Sequence, residues 1–245
     1  MDRLLYVAMT GAREIERAQQ ANMHNLANAQ TPGFRADLSA FRAMPVYGPG
    51  YPTRVYAMAE RPGVDLSPGP VTTTGRELDV AVQGEGFIAV QAPDGSEAYT
   101  RRGDLRIGPN GLLETGDGHA VLGSGGPIAV PPAEKIEIGS DGTISIRPIG
   151  QAPNALVVLD RIKLVRPDKN ALVKGADGLL RLAGGAAAEP DASVRLTAGA
   201  LEGSNVNAIE ALVDMIALAR HYELQIKLMR EAADNDAAAT QAMKL

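Results

Sequence analysis

Glycine and proline are confined to the middle of this chain. Residues 1–30 hold one Gly (Gly11) and no Pro, residues 206–245 hold neither, and the other 26 of its 27 Gly and all 16 Pro lie between. Both residue types break helices and make turns. The two ends can therefore be helical, and the middle cannot be mainly helical. The N-terminal stretch carries an apolar rhythm at Leu5, Ala8, Ala12, Ile15, Gln19, Asn22 and Leu26, spaced 3, 4, 3, 4, 3, 4. Such spacing lines one face of a helix. Thr31-Pro32-Gly33 ends it, because the residue before Pro avoids the helical region and Gly tolerates positive φ. The C-terminal stretch repeats the rhythm at Leu212, Met215, Ala219, Tyr222, Ile226, Met229 and Ala233, with Ile209, Ile216 and Leu218 widening the apolar surface. Asn207 followed by Glu210 is a capping-box start, and residues 207–233 predict a helical rod of roughly 40 Å.

The middle reads as β structure. Branched aliphatic runs recur at 78–82, 87–90, 136–138, 144–146, 156–159 and 162–165. Between them stand Asp94-Gly95, Asn110-Gly111, Asp117-Gly118, Asp141-Gly142 and Asp177-Gly178, dipeptides that signal hairpins with type I′ turns. Residues 36–75 differ again, with Pro45, Pro49, Pro52, Pro62, Pro68 and Pro70 and little periodicity; they predict an extended connector packed on something else. The fold class expected is α+β: long N- and C-terminal helices forming a coiled-coil core from residues 1–35 plus 199–245, an extended arm over 36–75, and a mainly antiparallel β outer domain over 76–198. Each terminal stripe lacks a local partner. Pairing the two with each other, and with copies from neighbouring subunits, is the simplest solution.

Composition excludes several classes. The net charge is −5, from 24 Lys+Arg against 29 Asp+Glu, without a basic run, which argues against a nucleic-acid binder. Cysteine is absent, so disulfides and thiolate metal sites are excluded. Three His, at 24, 119 and 221, make a histidine metal centre improbable. No apolar stretch approaches the ~20 residues of a membrane span, and Asp2, Arg13, Glu14, Glu16 and Arg17 interrupt any signal-peptide core. The cytoplasm is then the default, unless a route without a cleaved signal exports the chain. Catalytic motifs are missing as well. Gly84-Glu85-Gly86 follows a strand without a helix pattern after it, and Ser124 lies in a Gly-rich loop without the strand–turn–helix context of a nucleophile. The expectation is a chain that is not an enzyme and carries no metal and no cofactor.

Residues 22–34 add a specific signal. Asn22-Met23-His24-Asn25-Leu26-Ala27-Asn28, followed by Thr31-Pro32-Gly33-Phe34, resembles the Asn-Asn-Leu-Ala-Asn…Thr-x-Gly-Phe signature of the flagellar rod and hook family, with His24 in place of the first Asn of the pair. Leu201-Glu202-Gly203-Ser204-Asn205-Val206-Asn207 is similar to its Leu-Glu-x-Ser-Asn-Val-Asn motif, and Leu78-Asp79-Val80-Ala81-Val82 with Tyr99-Thr100-Arg101-Arg102-Gly103 matches its middle. The resemblance is greatest to the proximal-rod members; the distal-rod members are the alternative. It implies a structural subunit of the bacterial flagellar basal-body rod, assembling helically into the hollow drive shaft that transmits torque across the periplasm, exported without a cleaved signal peptide. Leu5, Ala8, Ala12, Ile15, Leu26, Ile209, Leu212, Met215, Ile216, Ala219, Tyr222, Ile226 and Met229 would then form the helix assembly interface. Asn22, Asn25 and Asn28 would hydrogen-bond between packed helices. Tyr47, Tyr51 and Tyr56 would be contacts of the arm, which sets the subunit's place in the rod. The partners implied are other rod proteins, proximal and distal, and the flagellar export apparatus, with no nucleic acid, membrane insertion or small-molecule substrate.

Overall fold

The computed structural model describes residues 4–45, 55–151 and 155–243. The chain is α+β and divides into two compact units, Met1–Ala29 with Asp37–Asp65 and Val206–Leu245, and Gln30–Ala36 with Leu66–Asn205.

The first unit holds the helices α1 (Leu4–Ala27) and α2 (Ala208–Ala242) and the strands β1 (Asp37–Pro45) and β2 (Val55–Val64). The two helices pack against each other, and α1 also packs on β1 and β2. They run antiparallel: Gly11 faces Gln225 and Asn22 reaches Ala211. Small residues make the approach possible, since Ala8, Gly11, Ala12 and Ala18 are buried with Ile15 on one face of α1, and a Cβ at Gly11 would come within 3.2 Å of the Gln225 side chain. Asn207 caps α2, accepting from the backbone N–H of Ile209 (3.1 Å) and Glu210 (3.4 Å), which satisfies donors left open at a helix start. The helix then runs nine residues past the 207–233 expected, to Ala242. No Gly or Pro follows to stop it, and Ala237, Ala238 and Ala239 are strong helix formers.

Only Ala211 is fully buried among the described residues of α2. A helix so lightly held owes little stability to its own chain. In dilute solution its amides are therefore expected to exchange much faster than those of the buried strand at 87–91, a difference hydrogen-exchange mass spectrometry reads directly. Comparable protection in both would show that α1 alone suffices to hold α2.

The second unit is antiparallel β throughout. Its strands are β3 (Val71–Thr73), β4 (Val80–Gln83), β5 (Phe87–Gln91), β6 (Glu97–Thr100), β7 (Leu105–Ile107), β8 (Leu113–Thr115), β9 (Ala133–Ile138), β10 (Thr143–Pro148), β11 (Val157–Arg161), β12 (Leu164–Val165), β13 (Leu172–Lys174), β14 (Leu180–Leu182), β15 (Arg195–Ala198) and β16 (Ala200–Glu202). A five-stranded sheet has the order β12-β5-β6-β14-β13, a three-stranded one β11-β10-β9, and β15-β4, β16-β3 and β7-β8 pair alone. All six aliphatic runs read from the sequence contribute strands. The core is aliphatic, with Ile88, Leu105, Leu113, Ile128, Ile144 and Ile162 almost fully buried.

The turns depart from the type I′ expectation. That type needs positive φ at both central residues, yet no described non-glycine residue has positive φ. The Gly of each dipeptide instead closes a turn begun three residues earlier; Gly95 N donates to Ala92 O (2.9 Å) and Gly142 N to Gly139 O (3.0 Å). Only the Gly is left-handed, at φ 81° for Gly95. The Asp before it keeps ordinary φ and accepts from the backbone beyond, as Asp94 does from Ser96 N (2.9 Å). These are type I turns with a glycine bulge.

The expected division also shifts. The arm of 36–75 is not one connector: β1 and β2 pair as an antiparallel ribbon from Asp37↔Val64 to Pro45↔Val55, while β3 pairs with β16 in the β unit, Val71 opposite Glu202. That pairing draws 66–75 and 199–205 into the β unit, so the borders fall at 29/30, 36/37, 65/66 and 205/206 in place of 35/36, 75/76 and 198/199.

Tyr99 is the fully buried aromatic of the β core. Its hydroxyl donates to Glu97 Oε1 (3.1 Å) and accepts from Ala188 N (2.6 Å). Burial pushes its pKa up to about 12, from an ordinary 10.0. The neutral form is thus favoured by folding. Its contribution to stability is complete below pH 10.0 and is lost as pH rises toward about 12. An absorbance titration should show a late tyrosinate component that vanishes in Tyr99→Phe. Loss of that component with no change in the alkaline unfolding window would separate the titration from stability.

Candidate functional site

Two sets of sequence motifs lie about 170 residues apart in the chain, at 31–36 and 201–205, and in the β unit they meet. Gly33 N donates to Glu202 O (2.8 Å) and Asn205 N to Phe34 O (3.3 Å). Ala36 N donates to the Asn205 side chain (2.8 Å). Beneath them Glu202 is buried between two guanidinium groups: Arg35 Nη2 donates to Oε1 (2.7 Å) and Arg101 Nη1 to Oε2 (3.0 Å), and all three side chains are at most 5% exposed. Gly69 N also donates to Glu202 Oε1 (3.0 Å), Gly203 N to Pro70 O (2.8 Å) and Asn205 Nδ2 to Ser67 O (3.2 Å). Arg101 gives further bonds to Val82 O (3.2 Å) and Gly84 O (2.5 Å). Burial pulls its guanidinium below the usual arginine range, and Glu202 opposes that pull. Lys174 Nζ donates to Arg35 O (2.7 Å) and stands 4.0 Å from the centre of the Phe34 ring, a cation–π contact.

Gly33 is required here. Its φ is 67°, and a Cβ would collide with the backbone of Arg101 and Arg102. Ser204 is buried, while Thr31, Pro32, Leu201 and Val206 are half-buried. Arg35 and Arg101 were not singled out for this role in the sequence, where nothing marks which distant carboxylate a buried cation will find.

The asparagines of the first motif divide their work. Asn22 Nδ2 donates to Ala211 O (2.7 Å), tying α1 to α2. Asn25 forms a two-point clamp on Asp37, donating to its carbonyl (2.9 Å) and accepting from its N–H (2.8 Å). Asn28 Nδ2 donates to His24 O (2.9 Å). His24 Nδ1 lies 3.0 Å from the buried Asp37 carboxylate. Asn22 thus supplies the bond to the other helix that the motif was expected to make.

Along the helices, Ala8, Ala12 and Ile15 are buried, Leu26 is half-buried and Ala27 and Leu5 are exposed. On α2, Met215, Ala219, Ile226 and Met229 are half-buried with Leu218 and Gln225. Ile209, Leu212 and Ile216 are exposed, as are Val213, Leu224 and Leu228, and Tyr222 is just exposed. By the 100° step of a helix, Ile209, Val213, Ile216 and Leu224 lie on the side opposite Ala211, Leu218 and Gln225, Leu212 and Leu228 flank that side, and Tyr222 falls on the same side as Ala211. α2 is therefore apolar on two sides, and α1 covers one. In the ribbon, Tyr56 is half-buried opposite Met44, whereas Tyr47 and Tyr51 lie outside the described residues. Phe41 and Met44 are each 50% exposed.

Three further polar side chains of the β unit have partners nearby. Asp79 accepts from Thr74 (2.7 Å) and pairs with Arg76, Asp104 pairs with Arg102, and Ser124 donates to Asp160 (2.5 Å). Among the described residues no group of His, Asp and Glu could hold a metal ion, and no helix is long and apolar enough to cross a membrane.

Comparison with known proteins bears on the same segments. The family model for the flagellar hook protein FlgE/F/G D1 domain matches residues 81–146, and that for the flagellar basal body rod FlgEFG protein C-terminal matches 197–242. The flagellar basal-body rod protein FlgF of Salmonella typhimurium (strain LT2) is 45% identical over 100% of both chains, and that of Escherichia coli (strain K12) 44%, again over 100% of both. The flagellar basal-body rod protein FlgG of Buchnera aphidicola (subsp. Schizaphis graminum) is 31% identical over 91% of this chain and 93% of its own, a weaker match that does not favour the distal-rod alternative. Identity of 44–45% over the full length of both chains makes this chain a member of the flagellar basal-body rod protein family, similar throughout to its FlgF proteins.

Proposed function

We propose that the chain is a structural subunit of the proximal flagellar rod, built into the hollow drive shaft by helical assembly. The observation that carries this is the second apolar face of α2. Ile209 is 76% exposed, Val213 60% and Ile216 56%, on a helix whose other side is already taken by α1. An isolated soluble protein rarely keeps such a stripe open; a subunit surrounded by neighbouring helices needs it. In the assembled rod the terminal helices form an inner coiled-coil tube, the β1–β2 ribbon bridges to neighbours, and the β unit lies outside. Burying the open stripe at roughly 25 cal/mol per Å² against several neighbours gives the resistance to sliding that a torque shaft requires.

The partners are other rod proteins, met after passage of the unfolded chain through the flagellar export apparatus, and the place of action is the rod within the periplasm. Absence of cysteine suits such a route, since no disulfide can form before passage. Electron cryo-microscopy of basal bodies isolated from the flagellated source cells tests the proposal. Density for this subunit in the proximal rod, lost on deletion of its gene together with motility, is the expected result. Intact rods without it would overturn it.

A further inference from the structure

The chain passes between its two units four times, at 29/30, 36/37, 65/66 and 205/206. Three short stretches of the β unit carry all four crossings: 30–36 carries two, and 66–70 and 203–205 carry one each. Glu202 touches each of these stretches or the residue beside it. Its carboxylate takes Arg35 (2.7 Å) and Gly69 N (3.0 Å), its carbonyl takes Gly33 N (2.8 Å), and its own strand continues into Gly203, whose N–H donates to Pro70 O (2.8 Å). Asn205 adds bonds to Ala36 N (2.8 Å) and Ser67 O (3.2 Å). The other carboxylate oxygen is fixed to the interior by Arg101 (3.0 Å), which is itself bonded to the turn after β4.

We propose that Glu202 is the positioning residue of the β unit: it ties the three stretches through which the chain enters and leaves that unit, 30–36, 66–70 and 203–205, to one buried point. The proposal rests on the rod function above, in which the stretches so held must be in place for the subunit to be incorporated. Directional bonds to a carboxylate set geometry in a way that apolar packing does not. Their contribution to stability is a separate matter, since a buried ion cluster replaced by apolar groups of similar size often loses none. Arg35 Nε and Nη1 and Arg101 Nε are buried without hydrogen-bond partners among the described residues, so the cluster is an imperfect stabiliser and its removal as a whole is tolerable.

That separation gives the test. In the full-length triple variant Arg35→Met, Arg101→Met and Glu202→Leu no charge is left unpaired. Hydrogen exchange of the amides of Gly33, Ala36, Gly69, Gly203 and Asn205 is expected to accelerate at least tenfold, with Ile88 and Val90 unchanged, and incorporation into rods to fall at least tenfold at normal protein level. Asn205→Ala, which leaves the ions in place, should accelerate Ala36 alone and lower incorporation less. If the triple variant loses its core protection, the cluster is merely a stabiliser and the proposal fails, unless Asn205→Ala still lowers incorporation with its core intact. Unchanged junction exchange or unchanged incorporation overturns it. Failure of the wild-type chain to enter rods would instead refute the rod function, and the exchange pattern would still decide whether Glu202 fixes the junction.

Discussion

Gly33→Ala is expected to destabilise the β unit by about 3 kcal/mol or more, a large share of the roughly 5–15 kcal/mol that holds a domain together. Two costs combine. The left-handed φ of 67° costs an alanine about 1–2 kcal/mol. The new Cβ would also collide with the main chain between Arg101 and Arg102, and backbone cannot step aside as a flexible side chain can; overpacking of this kind costs about 1–3 kcal/mol. Gly75 provides the control. Its φ is 72°, but a Cβ there meets nothing within 4 Å, so Gly75→Ala should cost only the first amount. Urea denaturation of the two variants measures the difference. Equal losses would mean that the close approach of 33 to 101–102 is unimportant, and the junction is looser than the distances indicate.

The second large effect is on assembly. Ile216→Asp should leave the isolated protein as stable as the parent, within about 0.5 kcal/mol, since a change at an exposed position touches no core. The same carboxylate buried without a partner in the rod would cost several kcal/mol per subunit. Cells carrying it should be non-motile at normal levels of the protein. Ile226→Asp is expected to behave differently: Ile226 is half-buried beside Gln225, the residue that meets Gly11, so its replacement should loosen the helix pair before assembly is reached. Motility retained in Ile216→Asp would show that the open face of α2 is not covered in the rod.

How far the sequence reached is visible in these two cases. The helices at both ends, the six aliphatic strands and the five glycine turns all depend on a residue and its near neighbours: apolar spacing, a β-branched run, the freedom of Gly at positive φ. The family signature, too, is a local string of residues. The β1–β2 ribbon escaped because β1 is exposed along its length after Asp37. With no buried face, it has no alternation to betray a strand.

The sequence by itself determined where helix and sheet could form, that no thiol chemistry was open, and to which family the motifs pointed. Tertiary structure alone decided which side of α2 is spent on α1 and which is left open, because a helix apolar on two sides offers both to any partner. It also decided that Arg35, Arg101 and Glu202 share one buried site. Chain closure brings together residues 101 and 167 positions apart, and no local preference of an arginine records which carboxylate waits at the far end of the fold.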